Sequence, residues 1–267
     1  MAGAAFACSY CYSLHSKEKT FWGAVIMKYI ATIFSLMIIS IASAKAQDWK
    51  YQGESGAADW AKLSDDYAAC ASHSQSPVDL TNGLVAGLPE MVITQAYLSG
   101  DFVNNGNSFV MTAQLEDALK IDDLSYNLVQ FDFHHPAEHS IDGKKAAMEL
   151  QYIYQNDDGQ SAAIAILIEE GVQNPELAKL WASLPNDEKK TEVRNIDMSA
   201  LMPENMNDYF RYQGSQATPP CSETFTWTVM KNTITASKEQ IAAFAALFGN
   251  NARPVQSLNR RYILQSF

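Results

Sequence analysis

Positive charge is in short supply in this chain: 19 Lys and Arg stand against 30 Asp and Glu, a net charge of −11 over 267 residues. A surface of that sign repels a polyanion, so nucleic acid is excluded as a partner. Long apolar runs are scarce as well. The run from Tyr29 to Ala42 is too short and too early to read as a membrane span. It follows Lys28 and precedes Ala44-Lys45-Ala46, a small-x-small cleavage pattern, so residues 27–46 read as a secretory signal peptide. Residues 1–26 then read as an upstream extension before a natural start at Met27, and residues 47–267 as the mature chain, periplasmic or secreted and free of the membrane once the leader is cut. Loss of Lys17, Lys19, Lys28, Lys45 and Glu18 with that leader makes the remainder more acidic still.

Cysteine is sparse. Cys8 and Cys11 fall in the leader as a chance C-x-x-C, which leaves Cys70 and Cys221. In an oxidising compartment such a pair most simply closes one disulfide; two buried free thiols are the other reading. Histidine after the leader is confined to His73, His134, His135 and His139. No repeat, low-complexity tract or linker rich in Pro, Gly or Ser divides residues 47–267, so one domain is the economical organisation.

What the chain does have is strand pattern. Between Gln130 and Tyr154, Gln130, Asp132 and His134 share one face while Leu128, Phe131 and Phe133 supply apolar packing. After Asp142-Gly143, a turn signal, Glu149, Gln151 and Ile153 alternate with Met148, Leu150, Tyr152 and Tyr154. Two adjacent strands thus each aim a polar row at solvent or at a site. Ala162 to Ile168 is apolar throughout, as in a central strand, and Thr224 to Val229 alternates as a half-buried one. Asn104 to Phe109 carries an N-G turn. Helices are few. Asn174-Pro175 starts one with Leu177, Leu180, Trp181 and Leu184 on one face. Ser237 with Gln240 makes a capping box for a second that runs through Ile241, Phe244 and Phe248 to Gly249.

The stretch QFDFHHPAEHSIDGK followed by E-L-Q resembles the α-class carbonic anhydrases, where it reads roughly Q-F-H-F-H-x-P-S-E-H-x-x-D-G-K and then E-L-H. Trp49-Lys50-Tyr51, Gln75-Ser76-Pro77-Val78-Asp79, Gly214 to Cys221 and Asn251 to Arg261 are similar to further family landmarks, so the resemblance spans the mature chain. It implies a mainly β (α+β) fold: a large twisted, mainly antiparallel sheet with short peripheral helices and a conical cavity over the central strands. It also favours a Cys70–Cys221 bridge, because exported bacterial members carry Cys at both places.

The same resemblance implies a zinc held by three His, whose positions here are Asp132, His134 and Gln151, with only His134 retained. His139 matches a buried histidine that bonds the residue matching Glu149. His135 follows His134 directly and so points to the opposite strand face, and His73 reads as a surface residue, so no third imidazole is at hand. Ala217 stands where a Thr orients the nucleophile and pairs with the residue matching Glu138, so Glu138 is expected to lose its partner. Gln216 replaces a Leu, and Ala163 a Val, of the apolar CO2 pocket, and Asn107 replaces a proton-shuttling His. Thr218, Trp227, Gln130 and Glu149 keep their family identities, and with Ile153 they complete the expected cavity.

These substitutions imply a family member without efficient CO2 hydration, with zinc absent or weakly bound, that acts by binding an unidentified ligand or protein partner. The alternative is a zinc-dependent carbonic anhydrase with residual or altered activity. The oligomeric state is open.

Overall fold

The strand pairing that matters most follows from side-chain period. In the computed structural model, which describes residues 48–94, 96–121, 123–184 and 190–267, Leu124–His134 and Met148–Gln155 pair antiparallel, with Asp132 opposite Gln151, His134 opposite Glu149 and Gln130 opposite Ile153. All six therefore share a face. The register shifts between Leu128 and Gln130, a bulge at Val129. It lets Leu128 and Phe131, three apart, both pack into the buried core with Phe133, Leu150, Tyr152 and Tyr154.

In chain order the strands are β1 (Asp79–Leu80), β2 (Leu84–Val85), β3 (Val92–Ile93), β4 (Tyr97–Asn104), β5 (Phe109–Ile121), β6 (Leu124–His134) and β7 (Ser140–Ile141). They continue as β8 (Met148–Gln155), β9 (Ser161–Glu170), β10 (Lys190–Asp197), β11 (Tyr209–Gly214), β12 (Phe225–Met230), β13 (Ile234–Ala236) and β14 (Leu264–Gln265). Among the described residues the main sheet runs β10-β4-β5-β6-β8-β9-β12-β11-β14-β2, with β13 against β9 and β3 against β5. Most neighbours are antiparallel, while β9–β12, β9–β13 and β14–β2 are parallel. The apolar run of β9 is explained by burial on both faces: Ala162, Ile164, Ile166 and Ile168 enter one core, and Ala163 and Ala165 enter a second with Trp227 and Val229.

Asp142-Gly143 does not close a hairpin between β6 and β8. Residues 135–147 make a longer excursion in which β7 pairs parallel with β1, and the turn folds Lys144 back onto Ile141 while Gly143 N donates to Asp79 Oδ1. Both turn residues sit at positive φ, which is why Asp-Gly suits the place.

Helices α1 (Trp60–Leu63), α2 (Pro175–Ala182) and α3 (Lys238–Phe248) lie outside the sheet order. Asn174 caps α2 through Glu176 N and Leu177 N, and the Ser237–Gln240 capping box opens α3. Trp181 and Phe244 stack on each other and against Phe109 and Phe133, so both helices close the core behind the centre of the sheet. Cys70 and Cys221 form a disulfide across 151 residues. Residues 46–267 make one compact unit; the expected signal peptide, residues 27–46, and the expected extension, residues 1–26, lie outside the described residues.

Candidate active site

On the cavity face of β6, His134 is clamped from behind. Its Nδ1–H donates to Asn251 O at 2.9 Å, and Asn251 is itself fixed, its amide donating to Asn107 O and Phe133 O and accepting from His135 N. His134 Nε2 then lies 3.3 Å from Asp132 Oδ1. That oxygen is buried and receives no hydrogen bond, whereas Oδ2 accepts from Gln130 Nε2 at 3.0 Å. Tyr51 meets the imidazole edge-on.

Beneath this pair lie two buried carboxylates. Gln151 Nε2 donates to Glu138 Oε2 and to Glu149 Oε1, each at 2.9 Å. Glu138 Oε1 accepts from Arg253 N at 2.7 Å, so Glu138 does not lose its partner as the sequence reading expects. The amide at position 151 and a backbone N–H take the place of the missing hydroxyl. Glu149 Oε2 accepts from Glu138 N and His139 N. His139 Nδ1–H donates to Glu149 Oε1 at 2.8 Å, and its Nε2 lies 2.6 Å from the Tyr212 hydroxyl, which donates to Ser76 Oγ.

Burial lowers the pKa of His134, but the charge of Glu138 and the close approach and charge of Asp132 push it up to about 10. Burial and the nearby Glu149 charge hold Glu138 above the usual carboxylate range, against the pull of His134. Burial would raise Glu149 too, yet the charge and hydrogen bonds of His139 hold it down to about 2. The two carboxylates are therefore pushed apart, one toward the neutral and one toward the ionised form.

Above them a cavity divides into two lobes that share Gln130, Asp132, His134, Gln216 and Thr218. One, about 290 Å³, runs over Gln151 and Ile153 toward Phe225. The other, about 370 Å³, runs past Asn107 toward Trp49 and Tyr51. Ala217 lines the first lobe although it is nearly buried. Glu149, Ala163 and Trp227 sit behind the wall rather than on it: all are buried, and Trp227 Nε1 donates to Ser215 O while its ring packs on His139. His135 turns away to Gly249 O, and exposed His73 presents its carbonyl to Asn259. The sequence reading missed Asn251 and Arg253 as site residues; both lie in the N-x-R-P landmark, which marks the family without saying what it touches.

The eukaryotic-type carbonic anhydrase model matches residues 55–267. The chain belongs to the α-class carbonic anhydrase family. It is 38% identical to a carbonic anhydrase of Pectobacterium atrosepticum over 239 residues, 86% of this chain and 97% of that one. It is 36% identical to a carbonic anhydrase of Nostoc sp. over 249 residues, 90% and 94% of the two chains. Among solved structures it superposes on a hyperthermostable carbonic anhydrase from a hydrothermal vent chimney with a TM-score of 0.78 at 36% identity, over 82% of this chain and all of that one. On the Thermovibrio ammonificans α-carbonic anhydrase, solved with sulfanilamide, the TM-score is 0.79 at 33% identity, over 82% and 99%.

These carbonic anhydrase relatives overturn the expectation of a ligand- or partner-binding member without efficient CO2 hydration. That expectation took each substitution as a loss. In the folded carbonic anhydrase domain, Gln151 instead supplies the donors that keep Glu138 and Glu149 satisfied, and the buried frame around His134 is intact.

The residues at the family's ligand positions fit a divalent metal ion. Asp132 Oδ1 is a buried anionic oxygen with no hydrogen-bond partner, and His134, once the Nε2 proton that it carries at neutral pH is displaced, leaves Nε2 beside it. Gln151 lines the same cavity with both amide hydrogens committed, so its oxygen is the end free to act as a donor. The set is two oxygens and one nitrogen, harder than three imidazoles.

Proposed function

We propose that the domain is a metal-dependent carbonic anhydrase, interconverting CO2 and bicarbonate with altered efficiency, and that Asp132, His134 and Gln151 hold its ion. The observation that carries this is the buried Asp132 Oδ1, without a hydrogen-bond partner, at 3.3 Å from His134 Nε2 and on the same sheet face as Gln151 across the strand pair, in a chain whose relatives are carbonic anhydrases. Zinc, the family's ion, supplies Lewis acidity and lowers the pKa of a water to about 7 in a three-imidazole site. A carboxylate in the ligand set offsets part of that charge, so the pH at which activity rises is expected to be higher here.

The protein's own groups provide the rest. Asn251 and Asp132 orient the imidazole, and Gln151 fixes its own amide plane on two carboxylates. Thr218, hydrogen-bonded by Gln216, is the hydroxyl left to orient reactants in place of the one absent at Ala217. Asn107 carries no titratable proton, so proton transfer to bulk water passes through solvent in the lobe beside it. We infer further that the protein works outside the cytoplasm, which the Cys70–Cys221 disulfide supports.

The test is stopped-flow CO2 hydration by the purified protein after zinc loading and removal of free metal. A rate above buffer that a chelator abolishes is expected. A buffer rate in a sample shown to retain stoichiometric zinc would sink the proposal.

A further inference from the structure

The first lobe offers more hydrogen-bonding groups than the hydration of CO2 uses. Register places Gln155, Ser161 and Phe225 side by side across β8, β9 and β12, and Ser222, Thr224 and Gln216 line the lobe with them. Among the described residues, the hydroxyls of Ser161, Ser222 and Thr224 make no hydrogen bond within the protein, and Gln216 uses only one amide hydrogen, toward Thr218. A wall with unused donors and acceptors beside half-buried Ile153 is the lining of a site for a polar molecule with one apolar face. Neither lobe is lined by Lys, Arg or Glu, and Asp132 is the one acid on the wall. Without the ion, an anionic ligand would meet that carboxylate inside a protein of net charge −11, so metal-independent binding in this lobe selects a neutral one. About 290 Å³ lies at the small end of the range for ligand sites, roughly 300–1,000 Å³, and suits a single ring.

We propose that this lobe binds a small neutral polyhydroxylated ring, of the monosaccharide class, with its C–H face on half-buried Ile153 and its hydroxyls on Gln216, Ser161 and Thr224. This goes beyond the proposed activity: it shares the cavity but requires no metal.

The test is calorimetric titration of the purified protein with methyl β-D-glucopyranoside, in chelator and again after zinc loading, with sodium gluconate as the anionic comparison. Saturable millimolar binding of the glucoside in both samples is expected, tighter than gluconate. Gln216→Leu and Thr224→Val are each expected to weaken it about 5- to 10-fold through loss of a hydrogen bond. No saturable binding, gluconate binding more tightly than the glucoside, or affinity unchanged in both variants would overturn the proposal. CO2 hydration by the wild-type protein, in chelator and after zinc loading, reports on the metal site, so its loss leaves glucoside binding to stand or fall separately.

Discussion

Gln151 touches three parts of the site at once: it faces the cavity, and its nitrogen holds Glu138 and Glu149 together. Gln151→Leu removes both donors and leaves two carboxylates short of partners in a fully buried place, which is expected to cost about 2–4 kcal/mol in urea unfolding. Gln151→His should be tolerated, because an imidazole N–H can still reach one glutamate. It also exchanges an amide oxygen for a nitrogen, so zinc is expected to bind at least about tenfold more tightly by calorimetry. Unchanged affinity would mean that position 151 is not a ligand. Asp132→His alone should not bring fast turnover, since Gln151 and Ala217 remain, and stopped-flow rates would check this. Glu149 carries a pH signature. Its pKa is lowered from 4.5 to about 2, so its contribution to stability is complete above the unfolded value and is lost as pH falls from 4.5 through about 2. Glu149→Gln should therefore destabilise the protein at neutral pH and flatten the acid limb of its thermal stability profile; an unchanged limb would contradict the His139 pairing.

At the scale of elements, periodicity was enough to find β6, β8, β9 and β12, because each buries at least one face and the period of two is written in apolar side chains. The helix ends were equally legible, since capping is local chemistry. Asn174→Ala should cost about 1 kcal/mol, the usual worth of such a cap, and somewhat more here because the Asn174 amide also donates to Ala200 O. A melting temperature within error of wild type would show that the cap is not needed. The Asp142-Gly143 turn misled because a strong local turn says nothing about which strands it joins; that is fixed by β1, more than sixty residues earlier. The same limit hid the rescue of Glu138. Knowing that Ala217 lacks a hydroxyl reveals a missing donor, but only the register of β6 against β8 and the approach of Arg253 reveal what replaces it.

Over the whole molecule, the disulfide links the entrance of the fold to the floor of the site. Cys221 ends the loop that carries Gln216, Ala217 and Thr218, and Cys70 O accepts from Arg253 Nη2 at 3.0 Å. Arg253 also donates to Gln75 and Ser76, lies over the Trp60 ring, and through its backbone N–H holds Glu138. Each of these groups is buried, so displacement of one leaves another with an unmet charge or hydrogen bond. Closing a loop of this length stabilises by about 4–5 kcal/mol in the chain-entropy model. Cys70→Ser with Cys221→Ser should lose a comparable amount in urea unfolding, and wild type measured in reductant should match it. Because Arg253 is shared, the loss should reach the site: zinc affinity of the double variant, measured well below its unfolding midpoint, should fall, while Asn174→Ala, which weakens the fold at a cap remote from Arg253, should keep wild-type affinity. Equal affinity in both would mean that the disulfide stabilises the fold without positioning the frame beneath His134.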